Sequence, residues 1–64
     1  MIKNRLKELR TERGLSQEKL AEKSDISRTT ISKIENNEEV VMTTRTIAKL
    51  ADVLGVNPSD IFTT

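Results

Sequence analysis

The chain lacks cysteine, histidine, tryptophan and tyrosine, and among its 64 residues has only one proline, two glycines and one aromatic, Phe62. Without cysteine there is no disulfide and no thiolate, so neither a redox compartment nor a zinc cluster can be argued from cysteine spacing. Without histidine, the commonest general base and metal ligand are both missing. No apolar run approaches the roughly 20 residues of a membrane span. The opening stretch MIKNRLKELR is charged throughout and carries no apolar signal-peptide core. The expectation is a soluble cytoplasmic chain forming one domain, 1–64, near the size limit for an unstapled apolar core.

Enzymatic chemistry has little to work with. The neighbouring carboxylates Glu38 and Glu39 lack a histidine or a second ligand set, and the two glycines do not form a phosphate loop. So short a chain also offers little concave surface. No enzyme activity, cofactor, metal site, small-molecule substrate or membrane association is expected.

The formal net charge of +1 conceals an asymmetry. Residues 1–34 hold nine Lys/Arg against five Asp/Glu, and residues 35–64 hold two against five, so the halves carry about +4 and −3. A basic first half in a near-neutral chain fits a module with one anion-facing side, and it also fits ordinary solvated helix faces.

One local pattern occurs four times, an apolar residue followed by Ser, Thr or Asn and, four positions after that, a second apolar residue. It reads Leu15-Ser16-…-Leu20, Ile26-Ser27-…-Ile31, Met42-Thr43-…-Ile47 and Val56-Asn57-…-Ile61. Each supplies an oxygen for the unpaired amides of a helix start and an apolar pair across the first turn. A further helix opens the chain with Ile2, Leu6 and Leu9 on one face, and it ends at Gly14, which suits a left-handed closing residue. Gly55 ends another, and Pro58 suits a first helical position, where no amide is needed. Five short helices are predicted, at residues 2–13, 17–23, 28–36, 44–54 and 58–62, with no strand alternation. The fold class is all-α. Leu6, Leu9, Leu15, Leu20, Ala21, Ile26, Ile31, Ile34, Ile47, Leu50, Ala51, Leu54, Val56 and Ile61 form the candidate core, with Phe62 capping it.

The second and third helices are separated only by the turn Ser24-Asp25-Ile26, which fixes their crossing. At about 100° per residue from Ile31, Arg28, Thr29, Ser32, Lys33 and Asn36 share an arc facing away from the core. That arc holds two cations, two hydroxyls and an amide, and no carboxylate. These are the groups a DNA major groove accepts: Arg or Lys for guanine acceptors, Asn for adenine or phosphate, and the Thr methyl for the thymine methyl.

The stretches LSQEKLAEKS, ISRTTISKIEN and IAKLADVLGVNPSDIF, within Leu6 to Phe62, resemble the helix-turn-helix domain of phage Cro and repressor proteins and related xenobiotic-response-element-like (XRE) bacterial regulators. The resemblance implies a compact five-helix, lambda repressor-like fold with the helix-turn-helix unit at 16–36. It implies a homodimeric repressor that binds double-stranded DNA at a palindromic operator. Residue by residue, it implies a phosphate contact for Gln17, base contacts for Arg28, Thr29, Ser32 and Lys33, a backbone contact for Asn36, and a phosphate or minor-groove contact for Arg45. It also implies a structural ion pair between Arg10 and Glu35. An alternative is a protein-interaction module, such as an antitoxin, whose main partner is another protein.

The sequence departs from that family pattern in three places. Asp25 stands where the turn usually has glycine, and Ser24 where it has a larger apolar residue. The loop NNEEVVMT puts Glu38 and Glu39 where basic or small polar residues are common, so either the loop points away from DNA or affinity is modest. Val40 and Val41 form an apolar pair in that loop, open to two readings, packing at the core edge or a homodimer contact.

Overall fold

The computed structural model describes residues 3–40 and 42–63. Five helices follow one another: α1 (Leu6–Glu12), α2 (Gln17–Ser24), α3 (Arg28–Glu35), α4 (Thr44–Leu54) and α5 (Pro58–Ile61). Two residues at each end, β1 (Lys3–Asn4) and β2 (Phe62–Thr63), pair antiparallel, Asn4 opposite Phe62.

Local chemistry sets the helix starts. Ser16, Ser27 and Thr43 each accept a hydrogen bond from the amide three residues on, at 3.0, 3.1 and 3.1 Å. At the last helix the Asp60 carboxylate accepts from the Asn57 amide at 2.9 Å, with Pro58 in the first turn. The predicted span of α4 coincides with the observed one, and those of α2, α3 and α5 differ by one residue at their C-terminal ends.

The first helix is the exception. It starts at Leu6, four residues later than predicted, because Lys3 and Asn4 are drawn into the ladder with the C-terminal segment and the Arg5 amide donates to the Ile61 carbonyl at 2.7 Å. Ile2, assigned by pattern to the apolar face of that helix, lies outside the described residues. The absence of strand expected from the sequence is likewise corrected by this two-residue ladder, whose partners lie too far apart in the chain for local periodicity to pair them.

Three helices close with the same device. After α1, α3 and α4 the chain enters the left-handed region at Gly14 (φ 68°), Asn37 (φ 59°) and Gly55 (φ 69°). Each time the next amide reaches back to an earlier carbonyl: Leu15 to Arg10 (3.1 Å), Glu38 to Lys33 (2.9 Å) and Val56 to Ala51 (3.0 Å). Helix α2 ends on Asp25, also left-handed at φ 60°. Ser24 belongs to α2 instead of the turn; it is buried, and its hydroxyl donates to the Leu20 carbonyl at 2.7 Å.

Leu6, Leu9, Leu20, Ile31, Ile34, Leu50, Ala51, Leu54 and Ile61 form the buried core. Leu15, Ala21, Ile26, Val56 and Phe62 pack on it half-buried, as do Val40, Met42 and Val53, while Ile47 is also only partly covered. Helix α2 packs against both α3 and α4, which fixes the outward direction of α3.

Candidate DNA-binding surface

Because Ile31 and Ile34 are buried on the inner side of α3, the residues between and around them face outward. Arg28, Thr29, Lys33 and Asn36 are exposed, and Ser32 is half-buried. Gln17, in the first turn of α2, joins Arg28, Thr29, Ser32, Lys33 and Glu38 around one open surface cleft. Both helix starts present the positive end of a helix dipole, which suits anionic groups. Among the described residues, Arg28, Lys33 and Arg45 form no salt bridge, so their charges are uncommitted.

The cleft brings together five of the seven residues assigned a DNA contact from the sequence. Asn36 lies at its edge, its amide nitrogen 3.5 Å from a Glu38 carboxylate oxygen. Arg45 is exposed at the start of α4 and does not line the cleft. Glu38 does line it, so at Glu38 the loop does not turn away from this surface.

Beneath the cleft lies a polar scaffold. Arg10 donates from Nε and Nη2 to the two carboxylate oxygens of Glu35, at 2.7 and 3.1 Å, and from Nη1 to the Leu15 carbonyl at 2.7 Å. The side chains of the pair are only 11% and 2% exposed. Gln17 adds a third donor to Glu35 at 3.0 Å. Burial, the largest single influence on Glu35, pushes its carboxyl up, but the hydrogen bonds from Arg10 and Gln17 and the charges of Arg10 and Lys7 together outweigh it. Glu35 therefore ionises below the ordinary carboxylate value. The Arg10 guanidinium is pushed up by its hydrogen bond to Glu35 against its own burial. Nothing in the local sequence connects Gln17 with Glu35; both flank the core stripe, but only the α2–α3 crossing brings them together.

A second, more apolar depression is lined by Asn4, Ile34, Asn37, Glu38, Glu39, Val40, Met42, Ile47 and Phe62. Val40 is half-buried against the core and also borders this depression, so core-edge packing accounts for part of its apolar character. Val41 lies outside the described residues. No group of three or more Asp and Glu among the described residues could hold a metal ion.

A family model described as helix-turn-helix matches residues 6–61. The chain belongs to the XRE-type helix-turn-helix DNA-binding family. Similar solved structures agree. The restriction-modification controller protein C.AhdI from Aeromonas hydrophila is 41% identical with a TM-score of 0.79, the match covering 88% of this chain and 83% of that one. The N-terminal DNA-binding domain of SinR from Bacillus subtilis is 33% identical with a TM-score of 0.79, covering 84% and 78%. A chain of the SinR protein/SinI protein complex is 33% identical with a TM-score of 0.80, and there the match covers 86% of this chain but only 53% of the other, so this helix-turn-helix chain spans about half that length. A comparison with curated proteins gives no match.

Proposed function

We propose that the protein is a transcriptional regulator that binds double-stranded DNA in a sequence-specific way, with α3 in the major groove, acting as a homodimeric repressor on a palindromic operator. The observation that carries this reading is the outward cleft where Gln17, Arg28, Thr29, Ser32 and Lys33 converge, its two cations forming no salt bridge among the described residues. Arg28, Thr29, Ser32 and Lys33 read base edges, while Gln17, Asn36 and Arg45 meet phosphates. Glu35 holds one hydrogen of the Gln17 amide, leaving the other hydrogen and the carbonyl for contacts outside the protein. Arg45, outside the cleft, is suited to the backbone toward the operator centre. The reading requires no enzyme activity, cofactor, small-molecule substrate or membrane, and implies a bacterial cytoplasmic or phage-encoded protein. C.AhdI, a restriction-modification controller, and the SinR DNA-binding domain support it by analogy.

A second reading, a module whose main partner is another protein, draws on the apolar depression lined by Ile34, Val40, Met42, Ile47 and Phe62 and on the SinR/SinI complex. The same depression and the Val40–Val41 pair would serve a homodimer contact. Salt titration of binding to a duplex separates the readings. Each neutralised phosphate contributes about 0.9 to the slope of log affinity against log salt. A steep loss supports DNA as the main partner; weak, salt-insensitive association with DNA contradicts it.

A further inference from the structure

Among the described residues, Glu38 is the one carboxylate lining the recognition cleft; it also borders the apolar depression, its side chain is 3.5 Å from the Asn36 amide group, and the backbone turn that carries it is held from several sides. Helix α3 closes through Asn37, a left-handed residue other than glycine, and the Glu38 amide is tied back to the Lys33 carbonyl at 2.9 Å. Asn4 holds that turn from the far end of the chain. Its Nδ2 donates to the Ile34 carbonyl at 2.7 Å and to Asn37 Oδ1 at 2.8 Å, while its Oδ1 accepts from the Leu6 amide at 3.1 Å. One side chain thus joins the N-terminal ladder, the start of α1 and the exit of α3.

A carboxylate on a surface that meets DNA is repelled by phosphates unless it finds a donor. The donors a major groove offers are the exocyclic amino groups, cytosine N4 and adenine N6. The rest of the outward arc is rich in donors suited to guanine acceptors, so Glu38 supplies the complementary acceptor. We propose that Glu38 is a specificity-determining residue whose carboxylate accepts a hydrogen bond from a base amino group at the position read by the C-terminal end of α3. Asn4 is a positioning residue for it. The proposal rests on the DNA-binding reading above.

The test is selection from a random duplex pool with the wild type, Glu38→Ala, Glu38→Gln and Asn4→Asp, together with affinity for unselected duplex. The wild-type motif is expected to contain one half-site position restricted to cytosine or adenine, and the base selected distinguishes the two amino groups. Glu38→Ala should cut the preference there about tenfold and leave the other positions intact. Glu38→Gln should shift that position toward adenine, which a Gln amide pairs through two bonds. Asn4→Asp keeps the acceptor for Leu6 and loses the donor, so it should blur the same position while helical content by circular dichroism is retained. A motif unchanged in Glu38→Ala, with affinity raised for all sequences alike, overturns the proposal and makes Glu38 only a brake on phosphate binding. A motif unchanged in Asn4→Asp overturns the positioning role. A wild type that enriches no motif overturns the DNA reading itself, and this proposal with it.

Discussion

Replacing Glu35 by glutamine changes one atom in the scaffold beneath the recognition surface. The carboxylate accepts from Arg10 Nε, Arg10 Nη2 and Gln17 Nε2 at 2.7, 3.1 and 3.0 Å. A glutamine keeps one acceptor oxygen and turns an NH2 group toward at least one of those donors. Arg10 then stays charged with its side chain only 11% exposed and its main counter-ion gone. Breaking a buried pair by removing one partner costs roughly 3–5 kcal/mol. Because Arg10 keeps its bond to the Leu15 carbonyl, a loss of about 3 kcal/mol is expected. A domain of this size holds only about 3–10 kcal/mol in total, and each kcal/mol moves the Tm by about 4–8 °C. Thermal unfolding followed by circular dichroism near neutral pH should therefore show a drop of more than about 10 °C.

The pH dependence carries a sign. Glu35 ionises in the folded protein below its unfolded value of about 4.3. Its contribution is thus fully present above that value and is lost as pH falls through the folded one. The Tm gap between wild type and Glu35→Gln should narrow on acidification. Replacing both partners, Arg10→Met with Glu35→Leu, should recover much of the loss, because no buried charge is left unpaired. An unchanged Tm in Glu35→Gln accompanied by loss of DNA binding would refute the scaffolding role and assign Glu35 to the interface.

Two further outcomes follow from the geometry. Asp25→Gly should raise stability by about 0.5–1 kcal/mol, since φ 60° strains a residue with a Cβ, and the 3.8 Å approach of Lys49 to a 95% exposed Asp25 side chain offers little to lose; a lower Tm on unfolding would show that Asp25 has a partner role. Arg28→Ala should relax preference at one base pair by about 1–3 kcal/mol, whereas Gln17→Ala should weaken operator and random duplex alike. Equal losses on both duplexes for both variants, measured by fluorescence anisotropy, would contradict that division.

What the sequence made legible was local. The oxygens of Ser16, Ser27 and Thr43 sit three residues before the amides they cap, so the helix starts could be read directly. The outward arc of α3 followed from the burial of Ile31 and Ile34 at helical spacing. What depended on distant parts of the chain stayed hidden. The pairing of Asn4 with Phe62 shortened the first helix, and nothing near Asn4 announces bonds to Ile34 and Asn37 some thirty residues away. Asn37 was equally obscure: in the pair Asn36-Asn37 either residue could close the helix, and only the turn geometry selects the second. That choice leaves Glu38 bordering both the cleft and the apolar depression, where the sequence left its orientation open.

Whether the outward face of α3 reads a specific DNA sequence can be measured by selecting ligands for the purified wild-type protein from a random duplex pool at two salt concentrations. An enriched two-fold symmetric motif that survives the higher salt is the expected result, and its half-site would identify the bases facing Arg28 and Lys33. Absence of enrichment, with weak binding confined to low salt, would contradict sequence-specific reading by α3 and turn the search to a protein partner for the apolar depression beside Phe62.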